Sequence, residues 1–471
     1  MKKISVAVVV VVLAVVAWAG AAYVMGGDVE ERYAAFLAEA GSWGPISIET
    51  RSYERGVLSS TAETVLTVAI PQDDPAAAPE TLELALGQVF RHGPLPFGGG
   101  PALARIETRL AGVSVNGGAA GEFLEKFPEL KEAALKTSVS FGGTTTSRLR
   151  IPPFERRIDE GEMKSEGLAF ESEYAPEAKT AVGTLELPGM EFRTGEGVVT
   201  IGGIRGRFDL NEVLPRLYVG KNEVTFDGLT LSRTNAADGD IRELRIKDLA
   251  ITLDSAYENA LVGFRELVEL AEVTVDGDTF GPAVFDLEMK NLDGRALSEF
   301  QEQLQDIYRG AENFNPDEQL VQLVPLYFQL FNRLLEGKPE LSIHRLHLTS
   351  PRGNLGGNGH LRFVGDDGAG LGDMAVLLRQ IEAGFDLEIH ERLVRSLLGE
   401  NMKNALDQDE ASGLSAEEVE RQLEQAIDSE IEALLAQNFV VREGDKLKGS
   451  AGFKNGVLTL NGEALPIFEG E

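Results

Sequence analysis

The residue types that could form a reactive site are concentrated in two short segments near the N-terminus. Residues 53–60 read Tyr-Glu-Arg-Gly-Val-Leu-Ser-Ser, and residues 92–96 read His-Gly-Pro-Leu-Pro. A histidine beside a carboxylate can exchange protons with a substrate, so one interpretation is a hydrolase of cell-surface polymers that uses His92. The alternative is structural, with hydrogen bonds to buried backbone where strands break. In either case the residues expected to have a special role are Tyr53, Arg55, Gly56, Ser59, His92, Gly93 and Pro94.

The common motifs of catalytic and cofactor sites are missing from the sequence. It contains no phosphate-binding glycine loop, no G-x-S-x-G elbow and no H-E-x-x-H pair. It contains no cysteine, which excludes disulfides, thiolate metal sites and thiol nucleophiles. His344 and His347 are separated by three positions on a strand pattern and point to opposite faces, which disfavours a metal site. We therefore expect no metal, no cofactor and no enzymatic activity.

An uncharged apolar run from Ile4 to Met25 precedes both segments. A bilayer core of roughly 30 Å requires about 20 helical residues, and this run is long enough. Lys2 and Lys3 stand before the run, and positively charged ends stay in the cytoplasm. We expect residues 1–27 to form a single transmembrane anchor in the inner membrane, with the bulk of the chain in the periplasm.

A cleaved secretion signal is the alternative interpretation of this N-terminus. The sequence Ala17-Trp18-Ala19 resembles a cleavage site. The apolar run continues beyond it, which favours an uncleaved anchor. Both interpretations place the rest of the chain outside the cytoplasm.

Length and charge limit the remaining possibilities. The chain has 471 residues, and its formal net charge is −32. An acidic surface of this kind repels nucleic acid, so we expect no nucleic-acid partner. Hydrophobic residues make up 43% of the chain, which is enough to form a buried core.

Short alternating runs separated by glycine, proline and asparagine dominate the sequence after the anchor. In Thr81–Phe90 the residues Leu82, Leu84 and Leu86 share one face, which is typical of a half-buried strand. We expect an α+β, β-rich fold with antiparallel meander sheets covered by helices, which are concentrated in the C-terminal half. The expected regions are a β-rich periplasmic region at 28–254 and a mixed helix and strand region at 255–471.

Helical patterns appear mainly in the second half of the sequence. Capping residues and apolar periodicity predict helices at 256–272, at 296–309, at 315–337, around 393–398 and from Ser415 onward. The chain is expected to end in a hairpin that turns at Asn455-Gly456, a pair suited to a type I′ turn.

The predicted helix at 315–337 is apolar on nearly all sides. Such a helix is either buried on several sides or exposed to a partner or ligand. Both interpretations remain open, and the candidate surface comprises Leu320, Val324, Tyr327, Phe328 and Phe331.

Segments 53–60 and 92–96 resemble the signature of the YdgA-like family of bacterial inner-membrane proteins. The tail Asn455-Gly456-Val457-Leu458-Thr459-Leu460-Asn461-Gly462 is similar to the C-terminal end of that family. The resemblance implies an envelope protein that faces the periplasm, and it carries over no enzymatic activity.

Three functions follow from these observations. The first is a membrane-anchored envelope protein that acts by binding or assembly, with an envelope protein or a second copy of itself as partner. The second is binding or transfer of a lipid or another hydrophobic ligand. The third is the hydrolase that uses His92.

Overall fold

A computed structural model describes residues 2–40, 42–43, 46–70, 80–96, 100–119, 121–158, 161–234, 241–310, 316–365, 374–408 and 416–466. Side chains are described within these ranges except at 2–16, 38–43, 119, 121–123, 308–310, 316–321, 374–375, 400–401, 403–408, 416–419 and 466. The chain divides into two compact units. The first unit comprises residues 1–195, 200–222 and 298–327, and the second comprises 196–199, 223–297 and 328–471.

Most described residues lie in antiparallel strands, and some lie in helices. The strands are β1 (Ser42–Trp43), β2 (Ile46–Arg55), β3 (Ser59–Ile70), β4 (Glu80–His92), β5 (Ala104–Val115), β6 (Gly118–Ala119), β7 (Ala134–Val139), β8 (Thr145–Ile151), β9 (Phe154–Ile158), β10 (Gly161–Ser165), β11 (Leu168–Ala175), β12 (Thr180–Leu187), β13 (Met190–Thr194), β14 (Gly197–Ile201), β15 (Ile204–Leu214), β16 (Leu217–Arg233), β17 (Glu243–Glu258), β18 (Leu261–Val275), β19 (Asp278–Phe280), β20 (Ala283–Asp293), β21 (Glu340–Ser350), β22 (Gly353–Phe363), β23 (Ile381–His390), β24 (Val441–Glu443), β25 (Lys446–Lys454), β26 (Val457–Leu460) and β27 (Glu463–Pro466). The helices are α1 (Lys2–Ala40), α2 (Gly121–Lys126), α3 (Pro128–Glu132), α4 (Gly294–Gly310), α5 (Pro316–Glu336), α6 (Met374–Arg379), α7 (Glu391–Gln408) and α8 (Ala416–Ala436).

The first unit consists of antiparallel strand pairs, several of them between strands that follow each other in the chain. Its main ladder runs β2–β3–β4–β5–β7–β8–β11–β12–β15, and all the pairs are antiparallel. One core cluster contains Val29 of α1 together with Ala62 of β3 and Phe90 of β4. The C-terminal part of α1 therefore covers one face of strands β3 and β4.

The second unit repeats this arrangement. Its ladder runs β17–β18–β20–β21–β22–β23–β25–β26–β27, again with antiparallel pairs. One core cluster joins β23 and β25 to helices α7 and α8, where Ile431 and Leu447 are almost completely buried. The hairpin at the chain end turns at Asn455 and Gly456, whose φ angles of 52° and 78° fit the predicted type I′ turn.

The helix predicted at 256–272 is wrong, because this segment lies in the β17–β18 hairpin. The threefold spacing of Leu261, Phe264 and Leu267 fits one face of a helix. In the structure β18 pairs with β17 on one side and with β20 on the other, which satisfies its backbone groups. The hairpin turns at Asn259 and Ala260, which both have positive φ angles. Tertiary strand pairing decides the outcome, as it often does for short apolar patterns.

The other helical patterns have counterparts in the structure. The 296–309 pattern corresponds to α4, the 315–337 pattern to α5, the 393–398 pattern to α7 and the pattern after Ser415 to α8. Asn315, the first residue of the predicted helix, lies outside the described residues. The sequence predicts a short helix at Val29–Ala40 after the anchor, and in the structure the two are one continuous helix, α1, that runs through Gly26 and Gly27 without a break. No helix in the described part of the chain is long and apolar enough to cross a membrane.

Candidate functional site

Most of the candidate residues meet where α1 packs on the first unit. Met25, Val29 and Tyr33 of α1 contact the buried cluster around Phe90. Residues four apart on a helix share one face, so this spacing directs all three side chains towards the sheet. The rings of Tyr33 and Phe90 meet edge to face, with 5.0 Å between their centroids. Helix α1 therefore contributes directly to the hydrophobic core of the first unit.

His92 lies at the centre of this contact. Its Nδ1 atom is 2.9 Å from the backbone carbonyl oxygen of Ala22 in α1, and its Nε2 atom is 3.0 Å from Oγ of Ser60. A carbonyl oxygen only accepts hydrogen bonds, so Nδ1 carries the proton and Nε2 accepts from the Ser60 hydroxyl. The side chain of His92 is 1% exposed, and Ser60 is equally buried. The ring thus connects α1 to β3 through two hydrogen bonds.

The tautomer of His92 is the one in which histidine would accept a proton from serine during nucleophilic catalysis. A nucleophile must also reach its substrate. Residues Ala22 and Gly26 of α1 lie against the ring and cover it. Among the described residues, His92 hydrogen-bonds to no carboxylate, because Ser60 and Ala22 occupy both ring nitrogens.

Two glycines allow α1 to approach this closely. A Cβ atom at Gly26 would lie 2.5 Å from Cε1 of His92, which is closer than nonbonded carbon atoms come. A Cβ atom at Gly93 would lie 2.8 Å from Cβ of Ala22, and Gly93 also has a φ angle of +121°, which favours glycine. Glycine is therefore needed on both sides of the contact, once in the helix and once after β4.

Arg55 forms a second connection between the sheet and α1. Its Nη1 atom is 3.0 Å from Oε2 of Glu30, and its Nη2 atom donates to the hydroxyl of Tyr23 at 3.1 Å. The guanidinium also lies 4.8 Å from the centroid of the Tyr23 ring. The hydrogen bond with Tyr23 raises the pKa of Arg55, and Glu30 adds to this effect. These contacts fix the rotation of α1 about its axis.

The tyrosines of this site pack beneath the helix. The ring of Tyr53 packs at a tilt against the rings of Tyr33 and Phe90, with centroid separations of 5.9 Å and 5.6 Å. The hydroxyl of Tyr33 hydrogen-bonds to the side chains of Thr64 and Gln88. Burial raises the pKa of Tyr53, although the neighbouring hydroxyl of Ser60 acts in the opposite direction.

The surroundings of His92 favour its neutral form. Burial lowers the pKa of His92, because the charged imidazolium would lose its hydration. The positive charge of Arg55 also lowers this pKa, whereas the Ala22 carbonyl raises it. The net direction is downward from the ordinary value of 6.5. A neutral ring is the state that can accept the hydrogen bond from Ser60.

The structure brings most of the sequence-predicted residues together, but not all of them. Tyr53, Arg55, His92 and Gly93 take part in the contact with α1, and Gly56 forms the turn in which its amide donates to the Ser59 carbonyl at 3.0 Å. Ser59 is exposed and lies opposite Arg91, whereas the neighbouring Ser60 is buried. Pro94 is half-buried in the loop after β4.

Sequence reasoning missed the helix side of the site. The α1 residues that form the other half of this contact are Ala22, Gly26, Glu30 and Tyr33. One feature of the sequence indicated this contact. Gly26 and Gly27 lie within the helix, although glycine lowers helix propensity. A glycine kept inside a helix often marks a close approach to another element.

The second unit carries a separate apolar groove of about 320 Å³ on one sheet face. Leu361, Ala383, Phe453 and Leu458 lie side by side there on four neighbouring strands. Phe385 is partly exposed in the same groove, and its ring lies over Gly359. Helices α7 and α8 cover the same face at one end, around Leu447. The residues that line the groove all lie in strands.

The predicted partner surface lies on α5. Val324, Tyr327, Phe328 and Phe331 are all exposed, with exposed fractions between 46% and 60%. The side chain of Leu320, the fifth residue predicted for this surface, lies outside the described residues. The sequence left burial and exposure open for this helix, and these four side chains are exposed in the structure.

Residues 1–468 match a family model described as a bacterial protein of unknown function, DUF945. The chain belongs to this family. The match is compatible with the YdgA-like resemblance but does not carry that name. No curated protein matches the chain significantly, and no solved structure does so. The family assigns no activity, so the site geometry is the starting point for a functional proposal.

Proposed function

We propose that this protein is a membrane-anchored envelope protein that acts by binding or assembly rather than by catalysis. Residues 1–27 would anchor it in the inner membrane, and the two units would lie in the periplasm. The observation that carries the proposal is the burial of Ser60 and His92 beneath α1. The side chains best suited to catalysis are used to hold the helix on the sheet.

Because α1 is continuous, its contact with the sheet also connects the sheet to the proposed anchor. One helix contains both the apolar run and the segment that packs on β3 and β4. A flexible linker between anchor and sheet would let the first unit move freely above the membrane. The hydrogen bonds of His92 and the ion pair of Arg55 instead hold the sheet at a set position relative to the anchor. Such an arrangement suits a protein that presents a binding surface.

A reactivity test separates this proposal from the hydrolase hypothesis. Fluorophosphonates label serines that a neighbouring histidine activates. The full-length protein is expected to remain unlabelled at Ser60, in the same way as its exposed neighbour Ser59. Covalent labelling of Ser60 that disappears in Ser60→Ala but persists in Ser59→Ala would contradict the non-catalytic proposal.

The proposed location has a test of its own. Alkaline phosphatase is active only outside the cytoplasm, so a fusion after the last residue is expected to be active in cells. A fusion of a cytoplasm-specific reporter at the same point should be inactive. The opposite pattern would contradict the periplasmic location.

The exposed side chains on α5 are the proposed contact with a protein partner or with a second copy. A photo-crosslinking amino acid in place of Phe328 is expected to give a defined crosslinked product in cells. The control replaces Gln329, which is exposed but points away from the apolar side. Equal crosslinking at both positions, or none at either, would contradict a specific surface on α5.

A second candidate function, binding of a hydrophobic ligand, is supported by the groove in the second unit. Its lining is almost entirely apolar, and its volume of about 320 Å³ suits part of an acyl chain. Mass spectrometry of organic extracts from gently purified protein should identify a lipid enriched over the membrane average. The Ala383→Trp variant would fill the groove and reduce this lipid, whereas Ala464→Trp on the opposite face should not. Loss in both variants or in neither would count against the groove as the binding site.

A further inference from the structure

We infer that the end of the first unit that carries His92 rests on the membrane surface and binds the phosphates of anionic phospholipids. This inference rests on the proposed function, because it requires α1 to be anchored in the bilayer. It adds a second membrane contact, made by the sheet itself. That contact gives the two signature segments a role beyond holding α1.

The geometry shows which end of the sheet would face the bilayer. Strands β2 and β4 end at Arg55 and His92, while β3 and β5 begin at Ser59 and Ala104, and all four ends lie together. Ala22 of α1 contacts His92 at this end. From Ala22 towards its N-terminus, α1 leads into the apolar run. We call these four strand ends, together with loop residues 56–58, 93–96 and 100–103, the proximal end.

Two loops place apolar side chains at the tip of the proximal end. Val57, in the turn between β2 and β3, is 52% exposed, and Leu95, in the loop after β4, is 53% exposed. Both belong to the signature segments. Val24 of α1 is also exposed, and it lies between Ala22 and Gly26, the two α1 residues that contact His92. Three apolar side chains are therefore exposed at or near the C-terminal end of the apolar run, which ends at Met25.

Charge distinguishes the proximal end from the opposite end, which also exposes apolar side chains such as Val115. Arg91 and Arg105 lie directly opposite each other on β4 and β5, on the face away from α1. Like charges placed directly across a ladder repel each other, and an anion between them would relieve that repulsion. At the other end of the same strands the ladder carries Glu80 and Glu83 instead.

Arg105 retains hydrogen-bonding capacity for such an anion. It forms no ion pair with any described carboxylate, and its Nη2 atom donates only to the Gly100 carbonyl at 3.4 Å. Its Nε atom is buried and has no hydrogen-bond partner among the described residues. Arg91 lies 3.3 Å from Glu107, which also pairs with Arg109, so the charge of Arg91 is only partly neutralised. In a chain of net charge −32, two such arginines at one strand end form a local site for phosphate.

An anionic bilayer is the occupant that these charges favour. A second copy of the chain would bring another strongly negative surface, whereas a bilayer offers phosphates and an apolar interior together. Exposed valine and leucine match the interior, and arginine matches the phosphates. Basic residues at an anionic surface strengthen binding roughly fivefold each.

The test uses the full chain in lipid nanodiscs, and the absence of native cysteine makes single labels specific. Variants Val57→Cys and Leu95→Cys would carry an environment-sensitive fluorophore, and nitroxide-labelled lipids would quench it. We expect strong quenching at both positions, comparable with that at Val24→Cys. Val115→Cys is the control, because it lies at the far end of β5, roughly 36 Å away at about 3.3 Å per residue.

A second arm tests the arginines. In nanodiscs that contain phosphatidylglycerol, the pair Arg91→Gln and Arg105→Gln should reduce quenching at Leu95→Cys severalfold. In nanodiscs of phosphatidylcholine alone, the same pair should have little effect. Arg193→Gln, an exposed arginine on β13, is the matched control and should leave quenching unchanged.

Each outcome points to a different conclusion. Quenching at Val24→Cys without quenching at Val57→Cys and Leu95→Cys would overturn the second membrane contact but leave the anchor in place. No quenching at Val24→Cys would overturn the anchor itself. Disulfide-linked dimers of Val57→Cys that resist the quencher would identify a second copy as the occupant and overturn the inference. An arginine pair without effect in anionic nanodiscs would remove the phosphate site.

Discussion

Replacing Gly26 by alanine should loosen α1 from the sheet, although alanine is the better helix residue. A Cβ atom at this position would lie 2.5 Å from Cε1 of His92 and 2.9 Å from each ring nitrogen. The ring is rigid, and hydrogen bonds hold it on both sides, so it cannot move away without breaking them. The added methyl group therefore strains the contact and breaks both hydrogen bonds of the ring.

The magnitude follows from three contributions. Alanine stabilises a helix by about 1 kcal/mol relative to glycine. Overpacking a buried contact costs about 1–3 kcal/mol, and two lost hydrogen bonds cost about 1 kcal/mol each. The net expectation is a docking free energy weakened by about 2–4 kcal/mol.

Hydrogen exchange measured by mass spectrometry on peptides from β3 and β4 is a suitable assay, because these strands lie beneath α1. A loss of this size should speed their exchange roughly 30- to 1,000-fold. The control is Gly20→Ala, in the same helix, where a Cβ atom would meet nothing within 4 Å. That variant should leave β3 and β4 unchanged.

A double-mutant cycle tests the cause. In a His92→Ala background the ring is absent, so adding Gly26→Ala should cost nothing and can restore up to about 1 kcal/mol of helix propensity. The coupling energy between the two positions should be about 2–5 kcal/mol. The reasoning is refuted if Gly26→Ala is as harmless as Gly20→Ala, or if the two substitutions are additive.

Three further predictions concern pH, the ion pair of a buried aspartate and a turn. The pKa of His92 lies below 6.5 in the folded chain, so the unfolded chain binds the proton first as the pH falls. The docking of α1 should therefore weaken below about pH 6.5, by up to about 1.4 kcal/mol per pH unit. Hydrogen exchange of β3 should report this slope, and the slope should be absent in His92→Gln. Arg265 binds buried Asp286 through two hydrogen bonds and lowers the pKa of this carboxyl. The stabilisation from this pair is lost as the pH falls through the pKa of Asp286. Arg265→Gln should therefore lower the melting temperature at pH 7 but not in acid. Gly456→Ala should destabilise the last hairpin by about 1 kcal/mol in urea unfolding, because φ is 78° there, whereas Gly356→Ala should have a smaller effect.

Local patterns in the sequence were sufficient to predict the antiparallel sheet, the Asn455-Gly456 hairpin and α5. Strand alternation, turn pairs and capping residues are short-range signals, and they survive folding when tertiary contacts agree with them. The 256–272 segment failed because its apolar spacing fits both a helix and a strand. Two neighbouring strands then decided the outcome, and they are not visible in a local window.

The site itself depended on long-range contacts. The sequence indicated His92 and Arg55 by residue type, but their partners Ala22 and Glu30 are distant in the chain. The choice between Ser59 and Ser60 is set by strand register, because successive residues on β3 alternate between exposed and buried faces. Without the pairing of β3 to β4, neither serine has a preference.

The most direct test of the central claim is the reactivity of His92 in the intact chain. Diethyl pyrocarbonate modifies accessible neutral imidazoles, and mass spectrometry can follow each histidine separately. His344 is exposed and serves as the internal reference. We expect His92 to react roughly 100-fold more slowly than His344, because α1 must open first, and we expect Gly26→Ala to remove most of this protection. Equal rates for His92 and His344 in the unmodified chain would mean that α1 does not cover the Ser60–His92 pair.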